Sequence, residues 1–191
     1  MKVDMNKISW LFVAFLFLCK NNITGNNNQE EIKGNIMINI GIDEKIRKSH
    51  AEQLNTLLAD EYILYTKTLK FHWNVKGKWF GPLHKLFNDQ YEQLLEIVDI
   101  IAERVRMLGF DTAGSLKEFL DLATLSEEPM VVKTDTEMIE LLLQGHEHVI
   151  RKIRDFIEKI RKTNDSGLEN VLQDIMAKHE KDVWMLRSHL E

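Results

Sequence analysis

The fold class predicted from this chain is all-α, a four-helix bundle with one long crossover, and three observations lead there. The 191 residues contain only two prolines and nine glycines, while 44% are hydrophobic and 29% charged, the balance of an ordinary globule. Apolar residues recur at helical spacing through four long segments. The connections between those segments run short, long, short, and the middle one, roughly 25 residues, is long enough to cross the length of a bundle.

The first helix is expected from Asp43 to about His72, with Leu58, Tyr65 and His72 seven residues apart on one face. Asn74, Gly77, Gly81 and Pro82 form the turn, and Pro82 suits a first helical turn, where its missing N–H costs nothing. The second helix carries Leu83, Phe87, Leu94, Val98, Ile101, Val105 and Leu108 and stops near Gly109. A short helix in the crossover is announced by the capping box Ser115-x-x-Glu118. A second capping box, Thr134-x-x-Glu137, opens the third long helix, which buries Ile139, Leu142, His146, Ile150, Ile153 and Ile157. Asn164 to Gly167 break it, and the last helix carries Leu168, Leu172, Ile175, His179, Val183, Leu186 and Leu190.

Residues 1–36 read as an N-terminal extension outside the fold, and 37–191 as the bundle. Lys2 and Lys7 precede the apolar run Ile8–Leu18, which is too short for a membrane span, and an Asn-rich stretch follows. Two readings stand: a secretory or lipoprotein-like signal with Cys19 as its lipidated residue, or an upstream stretch with Met37 as the true start. The second leaves the protein cytoplasmic; the first exports or anchors it. Cys19 is the only cysteine, so neither an intrachain disulfide nor a thiolate metal site is available. The formal charge of −5 argues against coating nucleic acid, whose binding rests on Lys and Arg neutralising phosphates.

His72, His84, Asp99 and Glu103 are the candidate metal ligands. Two imidazoles and two carboxylates without thiolate suit iron or zinc. The 15 residues from His84 to Asp99 on one helix span about 22 Å, whereas metals hold nitrogen and oxygen at roughly 2 Å. One chain therefore cannot close the site. Asp99 and Glu103 share a face with His84, Asn88, Glu92 and Leu95, apart from the apolar stripe. If two copies packed antiparallel across a twofold axis, His84 of one would approach Asp99 and Glu103 of the other, with His72 beside it. Carboxylates four apart on a helix are otherwise common on solvated faces. His146 and His179 read as structural core groups, Trp79, Phe80 and Trp184 as core or interface anchors, and His50, His148 and His189 as surface or helix-end residues.

The run His72-Trp73-Asn74-Val75-x-Gly77-x-x-Phe80-x-x-Leu83-His84, followed by Asp99-x-x-Ala102-Glu103-Arg104 and Leu108-Gly109, resembles the Dps family of mini-ferritins, DNA-binding proteins from starved cells. The resemblance covers about residues 40–191 and implies the ferritin-like form of the bundle. It also implies a hollow homododecamer assembled from twofold dimers. At the twofolds, dinuclear iron sites using His72, His84, Asp99 and Glu103 would oxidise Fe(II), usually with hydrogen peroxide, before mineral storage and protection against oxidative stress. Asp165, Glu169 and Asp174 would line an iron-entry pore; otherwise they form a solvated helix start.

Two departures matter. Many members carry a carboxylate four residues after the second histidine, where this chain has Asn88, so the second metal position is expected to be weaker. Members that condense DNA often use a Lys-rich tail, and none is seen here, so DNA binding is not expected. Larger ferritins use Glu-x-x-His motifs on two helices, and no Glu-x-x-His occurs in this chain. The alternative to a ferroxidase is a non-enzymatic metal-sequestering or nucleoid-associated assembly protein.

Overall fold

The computed structural model describes residues 38–127, 132 and 134–191; the expected extension, with Cys19, lies outside the described residues. Five helices follow: α1 Glu44–Asn74, α2 Phe80–Met107, α3 Leu116–Leu122, α4 Asp135–Ile160 and α5 Ser166–Arg187. The described residues contain no strand, and no helix among them is long and apolar enough to cross a membrane.

Local sequence explains where three of the helices start. Asp43 caps α1 by accepting from the Lys45 amide, and both predicted capping boxes form in full, Ser115 with Glu118 and Thr134 with Glu137. Each box satisfies amides that a helix start leaves without partners. Stops are equally local. The chain leaves α2 through Gly109 at φ +92°, and the α4–α5 turn passes through Asn164 at φ +59°, conformations that glycine and asparagine tolerate best.

Packing follows from the apolar stripes. α1 lies against α2, α4 against α5, α1 also against α3 and α4, and α2 touches α5. Leu54, Leu58, Leu64, Phe71, Phe87, Leu94, Ile101, Leu142, Ile153 and Leu172 form the interior, none more than 1% exposed. The crossover is fastened by side chains. Phe119 of α3 stacks on Tyr62 of α1 with centroids 4.3 Å apart. Asp60, fully buried on α1, accepts from the Thr124 amide at 2.5 Å, the Leu125 amide at 2.8 Å and the Thr124 hydroxyl at 2.8 Å, and pairs with Lys152 of α4. One carboxylate thus ties the crossover to two helices, and its charge is neutralised where water is excluded.

Several side chains depart from the sequence expectation. Trp79, Phe80 and Trp184 are 53%, 48% and 62% exposed, so none is a core anchor in the single chain. Leu95, Ile100 and Met107 on α2 and Leu116, Leu120 and Leu122 on α3 are also exposed. Ile150 is only half-buried, and Leu190 is exposed beyond the end of α5. His50, expected at the surface or at a helix end, lies near the start of α1 and is buried. The cause is Asp165, whose Oδ2 lies 3.2 Å from His50 Nδ1.

Candidate metal centre

His72 ends α1 and His84 opens α2, so the turn between them folds two residues 12 apart in sequence into direct contact. Their rings stack with centroids 3.8 Å apart and planes 20° from parallel. The His72 Nδ1–H donates to the backbone carbonyl of His84 at 2.9 Å, and the His84 Nδ1–H donates to that of His72 at 2.9 Å. A carbonyl only accepts, so each imidazole, in its neutral form, carries its proton on Nδ1 and keeps a lone pair on Nε2. This is how metal-binding histidines are oriented: the second ring nitrogen is tied to a carbonyl or carboxylate, which fixes the tautomer before any ion arrives. His72 is buried and His84 half-buried.

Stacking restricts what the pair can hold. An imidazole binds in its own plane, at roughly 2 Å from nitrogen. With the centroids 3.8 Å apart and the planes only 20° from parallel, the two ring planes stay apart near the rings, so a single ion is poorly placed to lie in both.

Asp99 and Glu103 are both exposed on α2. Since α2 is unbroken from Phe80 to Met107, the roughly 22 Å between His84 and Asp99 stands. Among the described residues no three His, Cys, Asp or Glu side chains gather closely enough to hold an ion. The chain brings His72 and His84 together and leaves the two carboxylates apart from them, on a helix that also exposes Leu95, Ile100 and Met107.

The three acidic residues at the start of α5 have different fates. Asp165 is 3% exposed: it caps α5 by accepting from the Leu168 amide at 3.0 Å, pairs with Arg104 Nη2 at 2.8 Å and faces His50. Its carboxylate is committed inside the chain. Glu169 is half-buried and pairs with Arg161 at 2.9 Å, while Asp174 is exposed.

His146 and His179, read as structural, are fully buried and bonded to each other through their Nδ1 atoms at 2.8 Å; His179 Nε2 lies 3.0 Å from Glu61 Oε1. Burial first, then the neighbouring His179, pushes the His146 pKa well below the usual histidine value. Asp182 is 3.9 Å from His146 Nδ1 and accepts from Gln93 at 2.7 Å, and burial raises its pKa to about 6. Sequence reasoning missed Glu61, Asp60 and Asp182. A signal for the first two existed: both fall inside the run Leu57–Leu58–Ala59 to Ile63–Leu64, where a helix buried on most sides leaves charges no route to water.

The ferritin-like domain family matches residues 51–191. A low temperature-induced protein of Nostoc sp. is 44% identical over 155 residues, 81% of this chain and 87% of that protein. DNA protection during starvation protein 2 of Bacillus anthracis is 31% identical over 145 residues, 76% of this chain and 99% of the relative. Among solved structures, the Vibrio cholerae O1 DPS protein, described as a ferritin-like diiron-carboxylate protein, aligns with a TM-score of 0.77 at 30% identity, covering 81% of this chain and 97% of that one. DpsC of Streptomyces coelicolor aligns at 0.79 and 27% identity, covering 81% and 91%.

Proposed function

This chain belongs to the Dps branch of the ferritin-like family, and from that premise we propose that it is a ferroxidase and iron-storage cage whose reaction sites are shared between subunits. The observation that carries the reading is the reciprocal pair of Nδ1–H to carbonyl bonds at His72 and His84, which presents two neutral, pre-oriented nitrogen ligands. Each site takes these from one chain and the carboxylates from Asp99 and Glu103 of the partner subunit. Two Fe(II) are the substrate, one before each ring.

The work of these residues is separable. The histidines position iron without adding charge. The partner's carboxylates offset the positive charge as Fe(II) becomes Fe(III). Hydrogen peroxide takes one electron from each iron, its O–O bond breaks, and with two protons both oxygens leave as water; ferric ions then hydrolyse in the cavity. Two irons side by side supply both electrons together, so no hydroxyl radical is released. The exposed apolar residues on α2 and α3 supply the twofold contact, in keeping with the self-complementary patches of isologous dimers. Such dimers build the dodecamer. Asp174, with Glu169 behind it, lines the iron-entry pore, and Asp165 sets the start of the helix that bears them.

Replacing His72 and His84 together with Ala tests the reading. The double variant should assemble as the parent does, because the apolar faces are untouched, and should lose rapid peroxide-driven Fe(II) oxidation. Oxidation at the parent rate would overturn the assignment.

A further inference from the structure

A second cluster of ionisable side chains lies in the core, where the hairpin α1–α2 meets the hairpin α4–α5. Glu61 comes from α1, Gln90 and Gln93 from α2, His146 from α4, and His179 and Asp182 from α5. Glu61, His146 and His179 are fully buried, and Asp182 is 7% exposed. The helices close tightly on the α1–α4 side, where a Cβ at Gly145 would come within 2.8 Å of Leu64 Cδ1. Protons therefore reach the cluster from the α2–α5 side, past Asp182 and the half-buried Gln93.

Hydrogen bonding limits how much charge the histidines can hold. Their Nδ1 atoms are 2.8 Å apart, a bond that needs one proton between the two nitrogens. Charging one ring leaves that bond intact, but charging both would set N–H against N–H. Any charge the pair holds belongs on His179, whose Nε2–H meets Glu61 Oε1 at 3.0 Å, whereas His146 Nε2 has no hydrogen-bond partner. His146 thus stays neutral in the closed fold. Burial first, then His179, act the same way and hold its pKa well below the usual histidine value.

Asp182 works in the opposite sense. Its carboxylate lies 3.9 Å from His146 Nδ1 and accepts from Gln93 at 2.7 Å, and His179, Gln90 and Lys181 also face it. Lys178 and Glu96 span the same α2–α5 seam nearer the surface, 4.0 Å apart. Burial outweighs the neighbours of Asp182 and raises its pKa to about 6, so the closed fold binds a proton there.

We propose that Asp182 and the His146–His179 pair form an acid-compensated seam, in which Asp182 takes the proton that His146 has no place for and the two hairpins stay joined as the surroundings acidify. The seam stands independently of the ferroxidase reading; in a cage that stores iron, the protons released as ferric ions hydrolyse are the acid it withstands. One carboxyl per chain is too few to buffer a growing mineral. What it protects is the wall.

The two contributions have opposite slopes. Below the ordinary histidine value of 6.5 the open form takes a proton at His146 that the closed form refuses, so opening grows about tenfold per pH unit. Between about 6 and 3.8 the closed form holds a proton at Asp182 that the open form releases, so opening shrinks by about the same factor. Across that window the two cancel.

Hydrogen exchange of the full-length assembled protein, followed by mass spectrometry at about pH 6 and about pH 4 and corrected for intrinsic rates, reads the opening of α4 and α5. The ratio of opening in Asp182→Asn to that in the parent should rise about a hundredfold from the higher pH to the lower. For His146→Gln, whose amide can still bond His179 Nδ1, the ratio should fall by about as much. In the double variant it should not change with pH. Ratios that move in the same direction in both single variants, a pH-independent ratio in either, or a pH-dependent one in the double variant would each overturn the seam. Infrared spectra decide the matter even if His146→Gln fails to fold: the C=O stretch of a buried protonated carboxyl should appear in the parent as pH falls through about 6 and be missing from Asp182→Asn. A parent without that band would overturn the seam by itself. Neither measurement involves iron, so the outcome is separate from whether the cage oxidises Fe(II).

Discussion

Replacing Asp182 with Asn should stabilise the protein at neutral pH, and by an amount that pH itself can switch off. Burial raises the Asp182 carboxyl from 3.8 to about 6, against the opposing pull of His179, Gln93, Gln90 and Lys181. Between those two values the folded protein holds a proton that the unfolded chain has released, so stability falls as pH rises through the window and levels off above pH 6. At about 1.36 kcal/mol per pH unit, the full window amounts to about 3 kcal/mol. The amide introduced by Asp182→Asn keeps an oxygen to accept from Gln93 and carries no charge to bury, so the variant should gain up to that amount at about pH 7 and nothing near pH 4. Thermal melts of both proteins at equal concentration across that range measure it, the comparison cancelling the titrating groups that do not interact with Asp182. A gap between the two that does not change with pH, or that widens toward the acid end, would refute the reasoning.

Two further outcomes are expected. Asp60→Ala strands the Thr124 and Leu125 amides and leaves Lys152 without its buried partner; it should cost about 3–5 kcal/mol, the range for breaking a buried pair, and hydrogen exchange should speed up at Thr124 and Leu125 first. With a net charge of −5, the cage should not retard duplex DNA at near-physiological salt, since few phosphates can be neutralised; a gel shift that persists at that salt would contradict this.

What the sequence made legible was local. Both capping boxes and the glycine exit from α2 depend on residues within a turn of one another and form as read, whereas the break expected at Asn164–Gly167 falls earlier, between Ile160 and Ser166, with Ser166 and Gly167 already helical. The histidine pair was legible for the same reason, since a tight turn separates its members. The buried ion pairs were not. Asp165 looks like any acidic residue at a helix start until Arg104 and His50, 61 and 115 residues distant in sequence, close on it. Asp60 likewise meets Thr124 and Lys152 from 64 and 92 residues away. Hydrophobic periodicity reports which face is buried but not which charges go in with it. Trp79, Phe80 and Trp184, read as core or interface anchors, are exposed in the single chain, since a large aromatic reads alike whether it fills this chain's interior or awaits another surface.

Whether the site is shared between chains is the central claim, and co-refolding two inactive variants tests it most directly. His84→Ala and Asp99→Ala chains should each be impaired alone, because every site in either homodimer lacks a ligand. When the two are unfolded and refolded together in equal amounts, about half of all twofold dimers are mixed. A mixed dimer has one site with every ligand present and one lacking two. Peroxide-driven Fe(II) oxidation should therefore recover to about a quarter of the parent rate, while mixing the folded cages without dissociation recovers nothing. Co-refolded cages of verified mixed composition that oxidise iron no faster than the average of the two variants would contradict a site built from His72 and His84 of one subunit and Asp99 and Glu103 of its partner.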